Sequence, residues 1–208
     1  MSLEEFFIKF LSDLLNTSVT EIVAVVFGMV SVVLANRNSV WLYPTGIIST
    51  VISVYVMINA KLYAESALNM YYFIMSVYGW ILWVKNRGKE GKSVISINGK
   101  TDWVITTAIV VLGWGILYFV LSRFTDSDVP MLDAIVSSAA WAGMWLLAKH
   151  KVQNWILLNI SNAIAIPLLL YKGLAFYAIL TLFLFIVAVF GYFRWLKLYR
   201  LQEEKSRA

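Results

Sequence analysis

Asn69, Tyr72 and Ser76 recur at intervals of three or four along one apolar stretch of the chain, and Trp155, Asn159 and Asn162 do the same along another. Residues so spaced share one face of a helix. Neutral amides read hydroxyls and ring nitrogens by hydrogen bonding. Aromatic rings stack on flat heterocycles, including those that carry a delocalised positive charge. Asn69, Tyr72, Trp155, Asn159 and Asn162 are therefore the predicted binding residues for a small organic solute. Trp41 and Trp80 are added as aromatic candidates, although anchoring at a membrane interface explains each of them as well. Glu21, Glu65 and Asp133 fall near the ends of apolar stretches, so no carboxylate is placed to relay protons through the middle. With no cysteine and one histidine, His150, in a turn between Lys149 and Lys151, the chain offers little for acid–base or metal chemistry. His150 reads as a surface residue. The expectation is no catalytic residue, no metal site and no cofactor.

The elements that must hold these residues are membrane helices. The chain has 208 residues, of which 61% are hydrophobic and 14% charged, with a mean hydropathy of +0.76, more apolar than a soluble interior can hide. A span needs about 20 mostly apolar residues. Seven stretches meet that length, at 20–36, 40–60, 63–84, 103–122, 132–148, 153–171 and 174–196. Ahead of them, Glu4, Glu5, Lys9 and Asp13 alternate with Phe6, Phe7, Phe10, Leu11, Leu14 and Leu15, which predicts an interfacial amphipathic helix over 1–19.

Two of these regions echo each other. A stretch containing Trp41 closes on Gly79-Trp80, and one containing Trp155 closes on Gly191 and Trp195, with Trp-to-Gly spacings of 38 and 36 residues. Internal repetition in an apolar chain is a signature of secondary transporters. The predicted organisation is a first three-helix repeat over 20–84, a basic linker and connector helix over 85–131, a second repeat over 132–197 and a tail over 198–208. An odd connector between triplets gives both the same orientation, so the expected fold is an all-α, seven-span, three-plus-one-plus-three parallel repeat of SWEET-like arrangement. Lys and Arg divide four to thirteen between the two sides of such a bundle, which places the N-terminus outside and the C-terminus inside. Pro44 and Pro167, each in the middle helix of a triplet, read as hinge points or tolerated kinks.

Other classes fit less well. Gly88-Lys89-Glu90-Gly91-Lys92-Ser93 lacks the spacing, strand and helix of a phosphate loop. A retinal protein needs a lysine inside its last span, and Lys197 lies beyond it. A seven-helix ligand-sensing receptor shares the topology but not the repeat.

Leu62-Tyr63-Ala64-Glu65 leading into Tyr78-Gly79-Trp80, Asn154-Trp155 to Asn162, and Tyr171-Lys172-Gly173-Leu174 leading into Gly191 and Trp195 together resemble the PnuC family of bacterial vitamin transporters, from about residue 20 to 197. The resemblance implies a multi-pass protein of the bacterial inner membrane that takes up nicotinamide riboside or a related vitamin by facilitated diffusion. It also implies a homo-oligomer, a trimer in that family, and a separate cytoplasmic kinase that traps the solute. The chain departs from the family pattern twice. Leu158 stands where the sixth span has its second tryptophan, and Asn69 where nicotinamide riboside carriers usually have glutamine. Those departures make thiamine the competing substrate.

Overall fold

The structure, a computed structural model, describes residues 3–59, 63–85, 94–125 and 127–207. Within them the chain forms α1 (Leu3–Asn16), α2 (Val19–Asn36), α3 (Leu42–Asn59), α4 (Tyr63–Lys85), α5 (Lys100–Phe124), α6 (Pro130–Ala148), α7 (Asn154–Tyr171) and α8 (Ala175–Arg207). Local chemistry sets several of these limits. The Ser18 hydroxyl accepts from the Glu21 amide while the Glu21 carboxylate accepts from the Ser18 amide, a capping box that starts α2. Pro130 opens α6, where its missing donor costs nothing. Asn38, His150 and Gly173 take left-handed φ values of 50°, 55° and 70° just past the ends of α2, α6 and α7. Each is followed by a residue whose amide reaches back five positions (Ser39 to Leu34, Lys151 to Leu146, Leu174 to Leu169), so all three helices end in Schellman turns.

Consecutive helices pack as two triplets, α2–α3–α4 and α6–α7–α8, and contacts of α4 with α6 and of α2 with α8 close them into one ring. α5 lies outside against α6, and α1 lies against α8. In lipid, close approach of small residues drives such packing. Accordingly α6, the hub that touches α4, α5 and α7, buries Ala134, Ser138, Ala139, Ala142 and Gly143. A Cβ on Gly143 would sit 2.8 Å from a Leu158 methyl, which shows how closely α6 meets α7.

The seven-span parallel repeat expected above does not stand. Six of the described helices are long and apolar enough to cross a membrane: α2, α3, α5, α6, α7 and α8. α4 runs for 23 residues with Asn69, Ser76, Tyr63, Tyr71, Tyr72 and Tyr78 among its apolar side chains, and is not one of the six. Among the described residues the fold is an eight-helix membrane bundle in which six helices are long and apolar enough to span, and the seven-span parity that set the N-terminus outside falls with that count.

The register between the triplets also differs from the one read off the tryptophans. α3 and α7 begin and end 112 residues apart, α4 and α8 begin 112 apart, and the left-handed Asn38 and His150 are 112 apart. At that separation the counterpart of Trp155 is Tyr43, not Trp41. Trp41 is 65% exposed in the turn before α3, whereas Tyr43 is buried.

The basic linker is only partly described. Gly88–Ser93, with its phosphate-loop-like pattern, lies outside the described residues. Further on, Ser96 pairs with the α6–α7 turn, donating to the His150 carbonyl (3.0 Å) and accepting from the Val152 amide (2.9 Å). Ile95 is buried in the core, and its amide donates to the Gln202 side chain on α8 (3.1 Å). Residues 95–99 are therefore a strap across one end of the bundle rather than a solvated tether. Lys151 and Lys149 add ion pairs to Asp102 at 2.8 and 3.6 Å.

Candidate functional site

A cavity of about 370 Å³ lies inside the ring and is lined from all six helices of the two triplets. This size is ordinary for a small-molecule site. Its wall on α2, α3 and α4 carries hydroxyls: Ser31, Ser49, Thr50, Ser53 and Ser76, with Tyr72 beside them. The opposite wall is apolar, formed by Ala140, Met144, Leu158, Leu180 and Leu184, and is relieved by Ser161 and Asn162.

Most of the hydroxyls are held by helix carbonyls. Ser31 Oγ donates to the Leu42 carbonyl (2.7 Å) and Ser49 Oγ to that of Ala24 (2.8 Å). Thr50 Oγ1 turns back to the carbonyls of Gly46 and Ile47, and Ser161 Oγ donates to Val136 (2.8 Å). Ser49 to Ala24 and Ser161 to Val136 are the same bond at the 112-residue separation. With the protons so committed, these oxygens face the cavity as acceptors.

At the strap end the cavity is floored by aromatic rings. Trp155 is 0% exposed and lies over Gly191, where a Cβ would fall 2.7 Å from the ring. Tyr43 lies against Gly79 in the same way, with a Cβ 2.5 Å from its ring. Behind them Trp83, His150 and Trp195 complete the cluster. His150 is stacked on Trp195 at 5.8 Å with an interplanar angle of 4°, and its centroid is 4.8 Å from that of Trp83.

His150 is thus not the surface residue that its flanking lysines suggest. The Schellman turn points it inward, leaving it 3% exposed. Burial pushes its imidazole down to about pKa 4, against the opposing effect of a hydrogen bond with the Ala148 backbone, so the ring is neutral at physiological pH. Within this floor Trp195 Nε1 donates to the Ala35 carbonyl (3.0 Å). Among the described residues, Trp83 Nε1, Trp155 Nε1, Tyr43 Oη and His150 Nε2 are buried without a partner.

The residues picked from the sequence are therefore divided. Tyr72, Trp155 and Asn162 line the cavity. Asn159 lies outside the cavity, in a neighbouring groove between α7 and α8 with Phe185 and Tyr192. Asn69 Nδ2 contacts Met57 Sδ at 3.2 Å, in the α3–α4 seam. Trp41 and Trp80, 65% and 40% exposed, are outside the cavity. Apart from Tyr72 and Ser76, sequence reasoning passed over the hydroxyl wall. Its signal was the run of Ser49, Thr50 and Ser53 a turn or less apart with Gly46 one turn earlier, which reads equally as ordinary helix-to-helix bonding. Among the described residues no three His, Asp or Glu side chains gather to hold a metal ion.

A half-open cavity between two helix triplets is an arrangement a carrier can use. The sequence profile of the nicotinamide mononucleotide transporter family matches residues 18–197. The chain belongs to that family. Among curated proteins it is 21% identical to the nicotinamide riboside transporter PnuC of Escherichia coli (strain K12), over 90% of this chain and 88% of that one. Its likeness to the Shigella flexneri protein of the same name has the same identity and coverage. The crystal structure of the vitamin B3 transporter PnuC superposes with a TM-score of 0.71 at 23% identity, covering 95% of this chain and 89% of the other. That likeness shows the fold. A member of this transporter family is a multi-pass carrier of the bacterial inner membrane and not an enzyme, so the receptor reading is set aside.

Proposed function

We propose that this transporter family member carries nicotinamide riboside, or a vitamin of closely similar shape, down its concentration gradient, with relative motion of the α2–α4 and α6–α8 units exposing the cavity alternately to each side. The observation that carries this reading is the cavity itself, which sets a wall where hydroxyls stand among apolar side chains opposite a more apolar wall bearing Asn162, above an aromatic floor. Hydroxyls and an amide suit the polar edge of a nucleoside, and the apolar wall suits its flat ring. The relatives, nicotinamide riboside transporters by name, support the same substrate class. In this proposal Tyr72 and Trp155 bound the ring, and Asn162 hydrogen-bonds to it. Assembly as a homo-oligomer and trapping of the solute by a cytoplasmic kinase are part of the same proposal, carried by the family resemblance.

Reconstituted protein is expected to equilibrate labelled nicotinamide riboside across vesicles without a sodium or proton gradient. Asn162→Ala is expected to raise the half-saturation concentration about tenfold, the cost of one hydrogen bond in a desolvated site, while Asn69→Ala in the helix seam changes it less than about twofold. Uptake of thiamine in place of nicotinamide riboside reassigns the substrate. Uptake of neither overturns the proposal.

A further inference from the structure

We infer that Ser31, Gly46 and Ser76 form a notch in the cavity wall that reads one hydroxyl of the substrate's sugar. The inference deepens the nucleoside reading above and rests on it. Its starting point is Gly46, one turn into the proline-started α3 and on the cavity wall. A Cβ built there falls 3.1 Å from Ser31 Oγ on α2 and 3.5 Å from Ser76 Oγ on α4. Two hydroxyls from two neighbouring helices therefore converge over the one residue between them that has no side chain, and all three residues border the cavity.

The two oxygens are not equivalent. Ser31 gives its proton to the Leu42 carbonyl, so its oxygen can only accept from a ligand. Ser76 is 6% exposed and makes no hydrogen bond among the described residues. A mid-helix serine this buried ordinarily donates to a carbonyl of the preceding turn, as Thr50 does to Gly46 and Thr181 does to Tyr177. Ser76 departs from that habit with its oxygen on the cavity wall, so its proton is free for a ligand. One acceptor beside one free donor fits a group that both donates and accepts, which is an alcohol. A ring nitrogen, a carbonyl or a fluorine can only accept, and an ammonium can only donate.

The test is calorimetric titration of the purified full-length protein with nicotinamide riboside and its 2′-, 3′- and 5′-deoxy analogues. One deoxy analogue is expected to bind the unmodified protein about tenfold more weakly than the parent. Ser76→Ala is expected to bind the parent about tenfold more weakly and to bind that same analogue as well as the unmodified protein does. Gly46→Ala places a methyl between the two oxygens and is expected to lose the same discrimination, although alanine is the better helix former.

If Ser76→Ala weakens parent and all analogues alike, or weakens none, the serine is helix packing and the notch is overturned. If the unmodified protein binds the nucleosides without discriminating among the deoxy analogues, the notch alone fails. If it binds none of them, the functional reading fails with it.

Discussion

In the first triplet Tyr43 lies against Gly79, and in the second Trp155 lies against Gly191, at a separation of 36 residues in each. Around this shared contact the triplets diverge. Trp195 in α8 has an acceptor for its indole N–H in the Ala35 carbonyl, whereas Trp83, its counterpart in α4, has none among the described residues. Asn38 closes α2 and His150 closes α6, both left-handed, but only the second puts a titratable ring into the core. The cavity inherits the asymmetry: both triplets line it with apolar side chains, but the serines and threonine among them come from the first triplet, with Ser161 alone from the second. Backbone geometry and the glycine contact are kept because they fix how closely helices approach. The side chains between them are free to differ in chemistry, and a solute with two unlike faces needs them to differ.

The largest expected effect separates Asn38 from His150. The buried His150 imidazole titrates at about pKa 4, against about 6.5 in an unfolded chain. Between those values the unfolded state binds more protons than the native state. The stability that the neutral ring supports is therefore full above about pH 6.5, falls as the pH drops, and levels off near 4, for a loss of about 3 kcal/mol. Detergent-solubilised protein melted at a series of pH values is expected to show that decline. His150→Asn, which installs the residue of the first triplet in the same left-handed turn, is expected to flatten it. An undiminished decline in the variant would place the titration elsewhere.

Next in size is the glycine contact. Gly191→Ala drives a methyl to within 2.7–2.8 Å of three ring atoms of Trp155, a ring that also meets Trp195 edge-on. A loss of about 2–3 kcal/mol in melting stability is expected from such overpacking. Gly79→Ala meets chiefly one ring edge of Tyr43, with a Cβ 2.5 Å from Cε1 and 3.1 Å from the next two atoms, so a smaller loss is expected. Equal losses would mean that the two floors are equally rigid.

The smallest effect concerns the two tryptophans. Trp195→Phe removes the donor to the buried Ala35 carbonyl and is expected to cost about 1–2 kcal/mol beyond the loss of ring area. Trp83→Phe breaks no such bond among the described residues and is expected to cost about half as much. A reversed order would show that Trp83 Nε1 has a partner in the membrane-embedded protein.

Much of the binding face was legible at the level of one helix and no further. Tyr72 and Ser76 share a face by spacing and both reach the cavity, yet Asn69, one turn earlier on the same face, ends against Met57 because the α3–α4 seam covers it there. Trp155, Asn159 and Asn162 looked like one row. Asn159 falls just outside because positions four residues apart differ by about 40° around a helix and the cavity edge passes between them. Trp41 satisfied the repeat by residue type, but the register is fixed by helix ends and left-handed turns, which favour Tyr43.

The sequence by itself determined that the chain is a helical membrane protein, that the polar side chains in the middle of its helices are neutral, and that it resembles a vitamin carrier. Composition and periodicity report burial in lipid directly, because the hydrocarbon layer imposes one length and one polarity on every helix that crosses it. Tertiary structure alone decided which faces meet across the ring, that His150 turns inward, and that Ser31 and Ser76 converge over Gly46. Those outcomes depend on distances between helices remote in the chain, which small-residue contacts set to a few tenths of an ångström and no single helix encodes.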